Sequence, residues 1–304
     1  MQSNESSSVQ VVVAARIPIA TWGFCGNLLV IATFCKYRKL RAEGLQSIGL
    51  LAAADTFYCA TAIFLAFFKL IRYEYLQLTD FTRLECISAT VPSILGLCAS
   101  HVCTAALAVN RYYALSQPHN AYKPKISTGR IALAAVVYPA FLSVHAFLFV
   151  DLSSKPVACY LGASLNRAMS VMMTVYYLIL GFVVLIFHCK STHQLWLHRK
   201  NKISATLTTV QQKARMARQV KLSQTSSIIL TIYLVSYFLP LVTLVLGTLA
   251  GWSSAVRGVI VTGIGIGGLT NSSVNVLVYA AKSSLIKTYL VATIRGQKGS
   301  SIKK

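Results

Sequence analysis

The chain has 304 residues, 55% of them hydrophobic and 12% charged, with a mean hydropathy of +0.61. Soluble domains carry about 25% charged residues, so an ordinary soluble enzyme, a disordered tail and a disulfide-stapled miniprotein are excluded. The 29 Lys+Arg against 7 Asp+Glu give a net charge of +22. In a soluble chain that excess would point to nucleic acid, but cytoplasmic loops of membrane proteins collect Lys and Arg.

Seven stretches, about 9–35, 45–70, 85–115, 130–150, 166–189, 226–250 and 256–281, are long and apolar enough to cross a bilayer. A helix needs about 20 apolar residues to span roughly 30 Å of hydrocarbon. The sequence therefore predicts an all-α membrane protein, a seven-helix transmembrane bundle over 9–281. An outer segment 1–8 precedes it, and a cytoplasmic tail 282–304 follows. With the N-terminus outside, residues 36–44, 111–130, 190–225 and those after 281 face the cytoplasm and hold 22 of the 29 basic residues. Glu5, Glu74, Asp80, Glu85 and Asp151 fall on the other side. The high charge thus reports topology and contact with anionic membrane lipid, with no role for nucleic acid.

No basic residue precedes Val9, so the first span is expected to direct its own insertion. Asn4-Glu5-Ser6 is a glycosylation sequon on the predicted outer side. Of the eight cysteines, only Cys86 and Cys159 fall where an oxidising compartment joins thiols, and a bridge between them is expected. The other six pack as small apolar residues.

Ionisable groups inside spans cost several kcal/mol unless paired, so each is a functional candidate. Asp55 is the only carboxylate within a span, and Arg111 closes the third. Asn27, Ser100, Asn271, Ser272 and Asn275 lie at comparable depth. These residues fall in recognisable groups: Gly26-Asn27, Leu51-Ala52-Ala53-Ala54-Asp55, Cys86 placed 25 residues before Arg111, Asn110-Arg111-Tyr112, and Asn275-Val276-Leu277-Val278-Tyr279. In that order and depth they resemble the landmarks of rhodopsin-like (class A) G-protein-coupled receptors, over residues 20–290. The compact chain and its Lys-Tyr-Arg-Lys-Leu-Arg first loop are similar to nematode-type serpentine chemoreceptors.

The resemblance implies a G-protein switch made of Asn110, Arg111, Tyr112, Phe238, Pro240, Asn275 and Tyr279. It has departures. Asn110 stands where the family has an acid that restrains the arginine, which implies a looser inactive state. Val220-Lys221 supplies no acid at the start of span six. Val276 replaces a proline, and Phe238 replaces the switch tryptophan. The resemblance also implies a sodium pocket of Asp55, Ser100, Asn271, Ser272 and Asn275, whose oxygens suit a hard cation. A hydrated polar network bracing spans two, three and seven is the other reading.

An extracellular ligand is expected among Ser93, Leu97, Tyr237, Phe238 and Leu269. Ser93 occupies the place of the aspartate of amine receptors, and Leu269 that of the retinal lysine, so amines and retinal are disfavoured. Lys69, Arg72, Arg83 and Arg167 at the outer mouth suit an acidic ligand, or are rim charges balanced by the acids there. Glycines 263–267 are read as helix-packing positions.

On the cytoplasmic side, residues 190–225 read as helical extensions of spans five and six, and Ser283 to Arg295 as an amphipathic helix with Leu285, Ile286, Tyr289, Leu290 and Ile294 on one side. His188, His193 and His198 do not share a helical face, so no metal site is read there. Nothing resembles a nucleophile with its base or paired catalytic carboxylates, and no enzyme is proposed. A transporter or channel using Asp55, and a receptor-like protein that no longer signals, are the alternatives to a ligand-gated receptor coupled to a heterotrimeric G protein.

Overall fold

The computed structural model describes residues 2–38, 40, 45–72, 82–116, 126–148, 167–200 and 210–297, with the side chains of 2–14 outside the description. The described residues are almost wholly helical. In chain order the helices are α1 (Gln2–Lys36), α2 (Gln46–Leu70), α3 (Arg83–Ser116), α4 (Thr128–Leu148) and α5 (Arg167–Lys200). Next comes α6, built from Val210–Tyr233, a π-helical turn Leu234–Phe238 and Leu239–Leu249, then α7 (Ser254–Lys282) and α8 (Ser284–Ile294). Seven of these are long and apolar enough to cross a membrane.

The helix ends follow local chemistry. Thr82 and Glu85 form a reciprocal capping box at the start of α3, with Glu85 Oε2 accepting from Thr82 N at 2.9 Å and Thr82 Oγ1 from Glu85 N at 3.2 Å. Ser253 and Ser283 cap α7 and α8 through their hydroxyls. Gly251 and Gly296, at φ 73° and 67°, take the left-handed position beyond the ends of α6 and α8.

Helix α3 runs through the middle of the bundle, against α2, α4, α5 and α6. Helix α1 packs on α2 and α7, α6 lies between α5 and α7, and α8 lies on α1 and α7. On α5, Met173, Tyr177, Val184 and Leu195 point inward, whereas Val175, Ile179, Phe182 and Ile186 are exposed. An apolar face directed outward suits lipid, because every backbone polar group is satisfied within the helix.

Two glycines set helix spacing. A Cβ on Gly96 would strike the Tyr58 backbone, so α3 lies flush on α2. A Cβ on Gly267 would strike the Ser236 carbonyl. That carbonyl lies within the π turn, and α7 packs directly onto it. Gly265 faces Arg16, whereas Gly263 has open space around it. The packing reading of residues 263–267 therefore holds for 265 and 267 only.

In α8, Ile286, Tyr289 and Leu290 are buried as expected, but Ile294 is 69% exposed. The helix ends at Ile294, and no described residue covers that side of its last turn. The π turn in α6 has a larger effect. One extra residue per turn rotates everything beyond it relative to a regular helix.

Candidate functional site

Asp55 is fully buried near the middle of α2. Its Oδ1 accepts from Ser100 Oγ at 2.6 Å and Ser272 Oγ at 2.8 Å, and its Oδ2 from Asn275 Nδ2 at 2.8 Å. One donor from α3 and two from α7 thus meet on one carboxylate of α2. Asn27 joins α1 to the same knot, donating from Nδ2 to the carbonyls of Gly23 and Ser272, both at 2.9 Å. Asn271 is buried close by, but no hydrogen bond ties it to Asp55, and its Oδ1 has no partner. Of the five residues expected around a cation, the structure therefore joins four directly. The Oδ1 atoms of Asn271 and Asn275 are buried acceptors without a hydrogen. A carboxylate, two hydroxyl oxygens and unmet amide oxygens are the donor set a sodium ion takes.

Arg111 closes α3 with 2% exposure, and Tyr279 of α7 is likewise buried. Asn110, beside Arg111, ties neighbouring segments together. Its Nδ2 donates to Ser47 Oγ and to the Ile126 carbonyl, each at 3.3 Å, and its Oδ1 accepts from Ile126 N at 3.0 Å. The amide clamps α2 and the segment leading into α4 onto α3. An aspartate could accept from Ile126 N and from a turned Ser47 hydroxyl, but could not donate to the Ile126 carbonyl, so the family's acid could make only part of this clamp. Tyr112 packs edge-on against Phe187 of α5 at 5.6 Å, and His198 Nε2 meets the Leu115 carbonyl at 3.1 Å. His188 meets Thr231, and His193 stacks on Trp196. The three histidines thus face three different neighbours.

Between Arg111 and the far end of α3 lies a group that the sequence analysis passes over. His101 is 3% exposed. Its Nδ1 donates to the Leu97 carbonyl at 2.6 Å, and its ring sits among Tyr177, Tyr233 and Tyr237 with centroids 5.1, 5.2 and 4.1 Å away. Nε2, the acceptor nitrogen, has no partner. A histidine in an otherwise apolar span was the available signal.

The expected ligand group changes in one place. Leu97 and Tyr237 do converge, beside Tyr58, on the bare surface of Gly268, and Ser93 Oγ one turn along is buried without a partner. Phe238 does not join them. The π turn sends its ring onto Gly181, edge-on to Phe182 at 5.2 Å. Leu269 packs in one cluster with Tyr58 and Leu97, together with Ala20 and Cys59. Pro240 opens the last segment of α6. Cys86 is buried and disulfide-bonded, but its expected partner Cys159 lies outside the described residues, as does the Asn4 side chain.

A buried carboxylate knot, an arginine closing the third of seven spans and a tyrosine closing the seventh define a seven-helix receptor. The family model for the seven-transmembrane receptors of the rhodopsin family matches residues 26–279, and the chain belongs to that family. Among solved structures it is similar to squid rhodopsin, with a TM-score of 0.70, 16% identity and coverage of 95% of this chain and 86% of that one. At that identity the likeness shows the fold. No curated protein matches the chain in sequence. The protein is a multi-pass membrane protein, and its family and fold are those of signalling receptors rather than enzymes.

Proposed function

We propose that this receptor lies in the plasma membrane with its N-terminus outside, senses an extracellular ligand that is neither an amine nor retinal, and activates a heterotrimeric G protein. A chemosensory cue or a peptide fits that description. The observation that carries the reading is the closed Arg111 end, where Arg111 and Tyr279 are both buried beneath the helices that would have to part. A ligand that binds better to the parted form shifts the population towards it. The basic residues of 36–44, 111–130, 190–225 and the tail support the orientation and contact with anionic lipid.

Sodium, where bound, would be held by Asp55, Ser100, Ser272 and the free amide oxygens, and supplies a positive charge that favours the closed packing of α2, α3 and α7. The Cys86–Cys159 bridge and glycosylation at Asn4 belong to the same outward-facing arrangement.

The test is basal G-protein activation in cells expressing the wild type and Arg111→Ala at matched surface levels. Basal activity that disappears in the variant supports the reading. Equal activity with and without the arginine, in a cell where the G protein is present, overturns the coupling.

A further inference from the structure

At the end of the bundle away from Arg111, two cations face each other, with no acid between them among the described side chains. Arg16 of α1 reaches across to α7, where its Nη2 occupies the space that a side chain at Gly265 would fill. Its Nε is buried and has no hydrogen-bond partner. Lys69, at the end of α2, lies within electrostatic reach of the same guanidinium, and so does Tyr58. Eleven residues separate Tyr58 from Lys69, which is about three turns of helix, so both lie on one face of α2. Gly265 is about one turn from Gly268, where Tyr58, Leu97 and Tyr237 meet.

Among the residues whose side chains are described, the acids are Asp55 and Glu85. Asp55 is committed to its three donors, deep in the bundle. Glu85 is taken by Arg72 at 3.2 Å and by Thr82. Like charges held together in a partly desolvated place raise the free energy of the empty state. An anion between them removes that cost, and a guanidinium beside an ammonium suits an oxyanion.

We propose that Arg16 and Lys69 form an oxyanion site, for a carboxylate, sulfate or phosphate group, on the outer side of the Tyr58–Leu97–Tyr237 cluster. As a ligand subsite it rests on the receptor reading above: the ligand's acidic group binds Arg16 and Lys69, and its apolar part descends towards Gly268. The same chemistry can arrive on a free ligand or on a lipid headgroup.

The experiment uses the full-length protein purified in dodecyl maltoside, a detergent without anionic groups, and reads the thermal unfolding midpoint. One arm adds inorganic sulfate against chloride at equal ionic strength, and the other adds phosphatidylglycerol against phosphatidylcholine. A saturable rise with sulfate assigns the site to a free oxyanion, and a rise with phosphatidylglycerol alone assigns it to a lipid headgroup. Either rise is expected to vanish in Arg16→Gln and in Lys69→Gln, and to persist in Arg257→Gln. Without an added anion, each glutamine variant is expected to unfold no lower than the wild type, because one of two repelling charges has gone. If a glutamine variant does not fold, Arg16→Lys and Lys69→Arg take its place, and the rise is expected to persist in both.

The proposal is overturned by a wild type that responds to neither anion, by a response that survives both glutamine variants, or by anion-free variants that unfold lower. The last result would mean that an acid of the chain already serves as counter-ion. No G protein enters the measurement. A protein that binds the anion but never signals would therefore overturn the coupling and leave the site standing.

Discussion

The imidazole of His101 and the ring of Tyr237 meet edge to face, with centroids 4.1 Å apart. This contact joins the middle of α3 to the π turn of α6, midway between the Gly268 cluster and Arg111. It is an aromatic contact with one polar atom left over, since Nε2 has no partner.

His101→Phe is therefore expected to keep or raise stability, by up to about 1 kcal/mol, because a ring of similar size replaces an unmet buried acceptor. His101→Ala is expected to cost about 3 kcal/mol, since it opens a void among three tyrosines. Thermal unfolding of the two variants in detergent separates the effects. Equal losses would show that Nε2 has a partner.

The sequence argument for Asn110→Asp expects lower basal signalling, because it restores the family's acid. The structure changes that expectation. The substitution removes the donor that meets Ser47 and Ile126 and sets a carboxylate against the Ile126 carbonyl. A loss of about 1–3 kcal/mol is expected, with Asn110→Ala similar. Surface yield and unfolding temperature should fall together in both. Unchanged stability with reduced basal activity would restore the restraint argument.

Asp55→Ala is expected to be among the most damaging single changes, at about 3–5 kcal/mol, because it leaves three buried donors without an acceptor. Asp55→Asn should be milder, because the Asn275 amide can turn over and offer its free Oδ1 to the new NH2 group. Sodium is expected to raise the unfolding temperature of the wild type relative to potassium and to have no such effect on Asp55→Asn. Identical sodium responses would remove the cation site and leave the polar knot.

Two glycines of α7 should answer in opposite directions. Gly267→Ala pushes a methyl group into the Ser236 carbonyl and is expected to cost about 1–3 kcal/mol. Gly263→Ala has nothing near it and is expected to gain about 1 kcal/mol from helix propensity. The pair can be compared in one unfolding series, and a loss at Gly263 would mean that its side is covered in the folded membrane state.

Much of this was legible in the residues. Composition and apolar run length mark seven spans, because hydrocarbon thickness imposes both. Asp55, Ser100, Ser272 and Asn275 stand out as polar groups in apolar helices, and they meet. What the residues hide is rotational phase. Phe238 reads as a pocket residue on a regular helix, and the extra residue of the π turn carries it to Gly181. The Asn110 clamp was hidden because its partner, Ile126, contributes backbone atoms, which any residue would supply. Arg16 reads as one rim charge among several until its reach to Gly265 is seen.

The bonds that cross between helices are unevenly shared. Asn27 to Ser272, the three donors on Asp55, Thr33 to Thr293 and Tyr37 to Gln297 fasten α1, α2, α3, α7 and the C-terminal end of α8 to one another. On α6, by contrast, the hydroxyls of Ser223, Ser226, Tyr233 and Ser236 are buried with no partner. Directional bonds resist sliding and break abruptly, whereas apolar and ring contacts let surfaces slip at little cost. The molecule is thus a bolted frame with one greased rod. Displacing the rod leaves these bolts in place and parts the Thr231–His188 contact with α5, while four buried hydroxyls of α6 become free to find partners.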